Sequence, residues 1–96
     1  MTPTFDSLIA QYGSRVADII GSAAPKPVGP ESFIAVIRAA SGSLDGAYDE
    51  QLQEVSDDLT AAADHLADAL TKSGTEQELQ LARAESRIRV ALEFAS

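Results

Sequence analysis

The sequence predicts an all-α fold, a small four-helix bundle whose last two helices form an antiparallel hairpin. Apolar residues recur at spacings of three and four along most of the chain, as on the buried face of a helix. Pro and Gly cluster at residues 23–30 and again around Gly74, which divides the chain into segments. The chain has 96 residues, and 45% of them are hydrophobic. This length and composition predict a single domain, residues 1–96, with a modest core.

The first helix is expected over residues 3–22. Thr2 can cap it, and Pro3 suits the first helical position. Gly13 costs about 1 kcal/mol relative to Ala inside a helix, which suggests that a neighbouring helix passes close to it. The apolar face of this helix consists of Phe5, Leu8, Ile9, Tyr12, Val16, Ile19 and Ile20.

A proline-rich connector at residues 23–30, AAPKPVGP, separates the first helix from the second. Three prolines in eight residues cannot continue a helix, so the segment is predicted to be a linker or a tight corner. The second helix is expected over residues 30–41, starting at Pro30 and ending at Ser41-Gly42-Ser43. It is apolar on most of its surface, which favours burial on several sides.

The third and fourth helices are expected over residues 45–73 and 76–95. Asp45 or Ser43 can cap the third helix, and Gly74 can end it. Thr75 and Glu78 match a capping box at the start of the fourth helix. The short turn between the two helices predicts an antiparallel hairpin.

Two arrangements of the first two helices remain open. In one, the first helix packs along the hairpin and the second closes one end of the bundle. In the other, the hairpin is extended and the N-terminal third of the chain reaches to a neighbouring subunit, because the connector could span about 20–25 Å and allow a domain swap.

The charge of the chain excludes several classes of partner. Fifteen acidic residues against seven basic ones give a net charge of −8, which disfavours direct binding of nucleic acid and of anionic membranes. The sequence contains no transmembrane-length apolar run. The first residues lack the basic start of a signal peptide, so a cytoplasmic location is predicted, with export through an uncleaved signal as the alternative. The absence of cysteine excludes a disulfide scaffold and a thiol nucleophile.

The acidic residues are concentrated in the third helix. No Lys or Arg occurs from residue 39 to residue 71, whereas this stretch holds eight acids. Across the predicted hairpin, Arg83 should lie near His65, and Arg87 and Arg89 should lie near residues 58–62. This leaves an acidic strip without a basic partner, either a solvated face or a docking site for a basic protein, formed by Asp45, Asp49, Glu50, Glu54 and Asp57.

Residues with catalytic or metal-binding potential are few. His65, the sole histidine, could join Asp58 and Asp68 only as a loose set of metal ligands, and no Glu-x-x-His pattern is present. No nucleophile, phosphate-loop or calcium-loop motif occurs. We therefore expect no catalytic residue, no metal and no cofactor.

Apolar surface exceeds what the predicted hairpin can cover. Three large side chains of the fourth helix, Leu79, Val90 and Phe94, lie off its main apolar stripe and could contact another chain. We therefore expect a non-enzymatic interaction or assembly protein, a homo-oligomer or the binder of a protein partner. Secretion-apparatus parts, phage structural components and chaperone-like adaptors belong to this class. The alternative is an acidic inhibitor that mimics nucleic acid and blocks a basic groove.

The C-terminal third of the chain, LADALTKSGTEQELQLARAESRIRVALEFAS, resembles the helical hairpins of type III secretion needle and inner-rod subunits. The shared pattern is a helix, a turn that contains Gly, and a second helix with an apolar face. Any helical hairpin has this pattern, so the resemblance assigns no family.

Overall fold

Four α-helices make up most of the chain in the computed structural model, which describes residues 3–21, 24–46 and 48–95. No strand occurs in these three ranges. The predicted all-α bundle is confirmed. The helices are α1 (Phe5–Ile20), α2 (Pro30–Leu44), α3 (Glu50–Leu70) and α4 (Gly74–Ala95).

The start of α1 is capped by Thr4. The Thr4 hydroxyl accepts a hydrogen bond from the Ser7 backbone N–H at 3.1 Å, and the Ser7 hydroxyl accepts one from the Thr4 N–H at 2.8 Å. These two bonds satisfy backbone donors that the first turn of a helix leaves unpaired. The predicted cap, Thr2, lies outside the described residues.

The boundary between α2 and α3 differs from the sequence prediction. α2 continues through Leu44, and α3 begins only at Glu50. The N-cap of α3 is Asp49, whose carboxylate accepts from the Gln51 backbone N–H at 2.8 Å. The predicted caps, Asp45 and Ser43, do not cap α3. Asp45 instead follows the last residue of α2.

The predicted capping box of α4 is wrong, because α4 begins at Gly74 and Thr75 already lies inside the helix. The turn before α4 uses two other devices. Gly74 has φ +60°, a left-handed conformation that a residue without a side chain adopts readily. The Gln77 side-chain amide donates to the backbone oxygens of Ala69 and Lys72 at 3.0 and 3.2 Å, and so caps the end of α3.

The direction of α3 is opposite to that of both of its neighbours. Towards α4, Asp58 pairs with Arg87, and His65 bonds Gln80. Residue numbers rise along one helix as they fall along the other, so α3 and α4 form the predicted antiparallel hairpin. Towards α2, Ser41 contacts Ser56 while Arg38 reaches Asp64, which is again an antiparallel register.

The direction of α1 is the same as that of α4. The first turns of the two helices meet at a cleft that Phe5 shares with Gln77 and Leu81. Further along both helices, the negative charge of Glu85 adds to the effect of burial in raising the pKa of Tyr12. Since α3 opposes both α2 and α4, three helices run one way and α3 runs the other.

The connector returns the chain along the bundle, because α1 and α2 run in the same direction. Its Pro27 is buried against the middle of α1, where a β-carbon on Gly13 would lie 2.9 Å from the Pro27 Cγ. The close neighbour of Gly13 is therefore the connector and not a helix. The predicted position of the second helix is also wrong, since α2 lies lengthwise against α3 and α1 and does not close one end of the bundle.

The core is a single cluster to which all four helices contribute. Burying a large apolar side chain stabilises the fold by about 1.5–3 kcal/mol. Among the described residues, every buried side-chain nitrogen or oxygen has a hydrogen-bond partner. The core therefore closes within one chain, and its largest fully buried side chains are Phe33, Leu8, Ile37, Leu59, Leu66, Ile88, Val16 and Val55.

Candidate functional site

The outward face of α3 is acidic along its whole length. Five exposed carboxylates fall within about 80° of one another around the helix and span about 27 Å of its axis. The sequence analysis ended the strip at Asp57, although the spacing of three and four continues through Ala61 to the next two acids. The five residues of this acidic face are Glu50, Glu54, Asp57, Asp64 and Asp68.

The first two residues of the predicted strip lie in the turn before α3 and have structural contacts. Asp49 is the N-cap. The Gln53 side-chain amide donates to Asp45 and Asp57 at 3.5 and 3.3 Å, while its oxygen accepts from the Gly46 backbone N–H. Glu50, Glu54 and Asp57 take part in no ion pair with another described residue.

Two ion pairs lie at the edges of the acidic face. Arg87 of α4 donates to Asp58 at 2.8 Å, as the predicted register of the hairpin requires. Arg38 of α2 reaches Asp64 at 3.3 Å, a contact that the sequence analysis missed because it placed the second helix at one end of the bundle. Exposed pairs of this kind contribute about 0–1 kcal/mol each.

Three large apolar side chains are exposed on the outward side of α4, among polar and charged residues. Leu79, Val90 and Phe94 are 48%, 36% and 44% exposed. They lie within about 60° of one another around the helix, with Val90 and Phe94 one turn apart and Leu79 about 16 Å from Val90. The opposite side of α4 supplies its buried residues, so these three side chains contribute little to the core. Together they form the outward apolar face of α4.

A cavity of about 300 Å³ lies between the two halves of this apolar face, at the groove between α3 and α4. Its lining consists of His65, Arg83, Ser86 and Arg87, so the predicted proximity of Arg83 to His65 is present. The His65 Nδ1 lies 2.8 Å from the Gln80 Oε1. Within residues 3–21, 24–46 and 48–95, no three His, Asp or Glu side chains are arranged to hold a metal ion.

Buried hydroxyl groups join α2 to α3. Ser41 contacts Ser56 and Thr60 at oxygen–oxygen distances of 3.1 and 2.6 Å, and the Ser56 hydroxyl donates to the Ser41 backbone oxygen. This network satisfies polar groups inside an apolar interface and so has a structural role. The sequence does not reveal this network, because Ser41-Gly42-Ser43 has the composition of a helix end.

None of the helices in the described part of the chain combines the length and the apolar character that crossing a membrane requires. Comparison with known proteins found no protein-family model, curated protein or solved structure that matches the chain. Function is therefore inferred from the surfaces of the chain itself.

Proposed function

We propose that this protein is a non-enzymatic interaction protein that associates with a second copy of itself or with another protein. The observation that carries the proposal is the outward apolar face of α4. Leu79, Val90 and Phe94 remain exposed on one side of a single helix although the core is closed by the chain's own helices. A contiguous exposed apolar patch is typical of a contact site, and Val90 and Phe94, one turn apart, are adjacent on this face.

Salt distinguishes the apolar contact that would drive self-association from the charge repulsion that opposes it. Covering the exposed part of each of these side chains would contribute about 1 kcal/mol, at roughly 25 cal/mol per Å² of apolar surface. Two copies that each carry a charge of −8 repel one another. Salt screens this repulsion and leaves the apolar contact in place. Self-association should therefore strengthen as NaCl is raised.

The test is size-exclusion chromatography with light scattering over a hundredfold range of concentration, at low and high NaCl. The wild type is expected to gain mass with concentration, and more so in high salt. The double variant Val90→Ser/Phe94→Ser should remain monomeric. The control is Ile20→Ser/Leu70→Ser, which removes two side chains that are 40% and 43% exposed on other helices. It should associate like the wild type.

Two results would count against self-association through α4. One is a wild type that stays monomeric at every concentration and salt level. The other is an equal loss of association in both double variants, which would indicate general surface hydrophobicity. Thermal unfolding of each variant shows whether a change in mass reflects a change in folding.

A second candidate is an acidic inhibitor that occupies the basic groove of a nucleic-acid-binding protein. The supporting observation is the acidic face, whose five carboxylates extend about 27 Å along α3. The test variant is Glu50→Gln/Glu54→Gln/Asp68→Asn, which leaves the Asp49 cap intact. A fluorescent oligolysine peptide should bind it less tightly than the wild type. The matched control, Asp18→Asn/Glu31→Gln/Glu78→Gln, removes the same charge elsewhere, and equal weakening in both would sink this candidate.

A location and two excluded classes of partner belong to the same proposal. We place the protein in the cytoplasm, with export through an uncleaved signal as the alternative. Direct contact with nucleic acid or with an anionic membrane is not part of either candidate function, since phosphate groups would be repelled by the net charge.

A further inference from the structure

The cavity between α3 and α4 differs in character from the rest of this acidic chain. Its lining consists of two arginines, a serine and a histidine, and none of these side chains is acidic. The arginines and the serine can donate hydrogen bonds. We propose that the cavity binds an oxyanion, the charged oxygens of a phosphate or carboxylate group. Arg83 is the principal ligand, with Arg87 and Ser86 as further donors.

Of the two arginines that line the cavity, Arg83 is the one whose donors are available. It makes no hydrogen bond or ion pair with any residue that the structure describes. By contrast, Arg38 is paired with Asp64, and Arg87 is paired with Asp58. The planar guanidinium of an arginine presents two parallel N–H groups, which match a pair of oxygens on phosphate or carboxylate.

The donors converge because of helical spacing. Arg83, Ser86 and Arg87 are three and four residues apart, so they share one side of α4. His65 faces them from α3. Its Nδ1 lies 2.8 Å from the Gln80 Oε1, and since a carbonyl oxygen only accepts, Nδ1 donates there. The other nitrogen of a neutral imidazole ring accepts hydrogen bonds, so His65 lies beside the site as a reporter and is not one of its ligands.

A second cavity on the molecule shows why the lining matters. It lies between α2 and α3, measures about 280 Å³ and also contains an arginine, Arg38. Asp45 and Asp57 line it as well, and their charges would repel an anion. The cavity at Arg83 lacks such carboxylates in its wall. Asp58 offsets part of the charge of Arg87, so Arg83 supplies most of the attraction and the affinity should be modest.

The sole histidine of the chain is a direct reporter of this site. We would follow the imidazole proton signals of His65 by NMR at low protein concentration and fixed pH, with NaCl adjusted to hold the ionic strength constant. Inorganic phosphate and acetate would be added in separate titrations. A saturable shift of the His65 signals is expected with at least one of them.

The matched variants are Arg83→Gln and Arg89→Gln, which remove the same charge from the same helix. Arg89 does not line the cavity. The loss of Arg83 should weaken binding about threefold to fivefold, the range for an exposed charged pair. The loss of Arg89 should leave the titration close to that of the wild type. Circular dichroism verifies that both variants fold.

Each outcome bears on the proposal. Saturation by phosphate alone identifies a phosphate site, and saturation by both anions identifies a site that also accepts a protein carboxylate. Saturation by acetate alone identifies a carboxylate site. The absence of a saturable shift with either anion would overturn the proposal, as would equal weakening by the two variants. Because the probe is a small ion and the protein is dilute, this result is independent of whether the chain self-associates.

Discussion

The connection between α3 and α4 and the connection between α1 and α2 are built in different ways. Between α3 and α4, residues 71–73 form a tight turn held by nearby groups, the left-handed Gly74 and the Gln77 side chain. Between α1 and α2, residues 24–29 run back along the bundle, and Pro27 is held by contact with Gly13, fourteen residues earlier in the sequence.

The difference determines which connection can be recognised in a sequence. The hairpin turn depends on residues within a few positions of one another, so local composition predicts it. The return of the connector depends on the packing of α1 beside α2 and α4, which no local pattern encodes. Three substitutions, taken from the largest expected effect to the smallest, test whether the two connections are held as described.

The largest effect is expected at the long connection. Gly13→Val places a branched side chain where even a β-carbon would lie 2.9 Å from the Pro27 ring. Relief requires the buried connector to shift, and overpacking of this kind costs about 1–3 kcal/mol. The free energy of unfolding, measured with urea, should fall by that amount.

Gly42→Val is the control for this substitution. Gly42 also lies in a helix, but a β-carbon there would have no atom within 4 Å. Its free energy of unfolding should change little, because valine is no worse than glycine as a helix former. If Gly13→Val proved as harmless as Gly42→Val, Pro27 would not be packed on α1 and the connector would follow another path.

Much of the fold was predictable for a physical reason. Apolar spacing, together with the Pro and Gly clusters, indicates four helices. The short turn at Gly74 indicates the C-terminal hairpin, and the Arg87–Asp58 pair follows from the register of that turn. The helix ends were predicted less accurately. Ser41 has the character of a helix terminator, but its hydroxyl bonds to α3 and the helix continues past it. Tertiary contact overrode local preference at that point.

The candidate surfaces were predictable in part. The position of Leu79, Val90 and Phe94 off the apolar stripe of α4 was visible in the sequence, and so was the acidic strip. The continuation of that strip to Asp64 and Asp68 could have been recognised from their helical spacing. The register of the hairpin already predicts Arg83 near His65, but the cavity itself and the place of Ser86 in its wall depend on how the two helices pack.

A smaller effect is expected at the short connection. Gly74→Ala introduces a β-carbon at φ +60°, where an L-residue is strained by about 1–2 kcal/mol. Gly74→Asn should recover most of this loss, because asparagine tolerates the left-handed conformation. Urea unfolding of both variants provides the measurement. Equal destabilisation by Ala and Asn would mean that backbone conformation is not what Gly74 contributes to the turn.

The smallest effect is expected from the side-chain cap of the same turn. Gln77→Met keeps the length and helix propensity of the side chain but removes the amide that donates to Ala69 and Lys72. The loss should be about 0.5 kcal/mol, at the low end for a hydrogen bond because the site is partly exposed. Gln11→Met, on an exposed position of α1, is the matched control. If the two variants unfold at the same urea concentration, the cap contributes nothing measurable and Gly74 alone holds the short connection. A larger loss for Gln77→Met than for Gln11→Met would show that a side-chain contact from α4 to the end of α3 helps to hold the short turn.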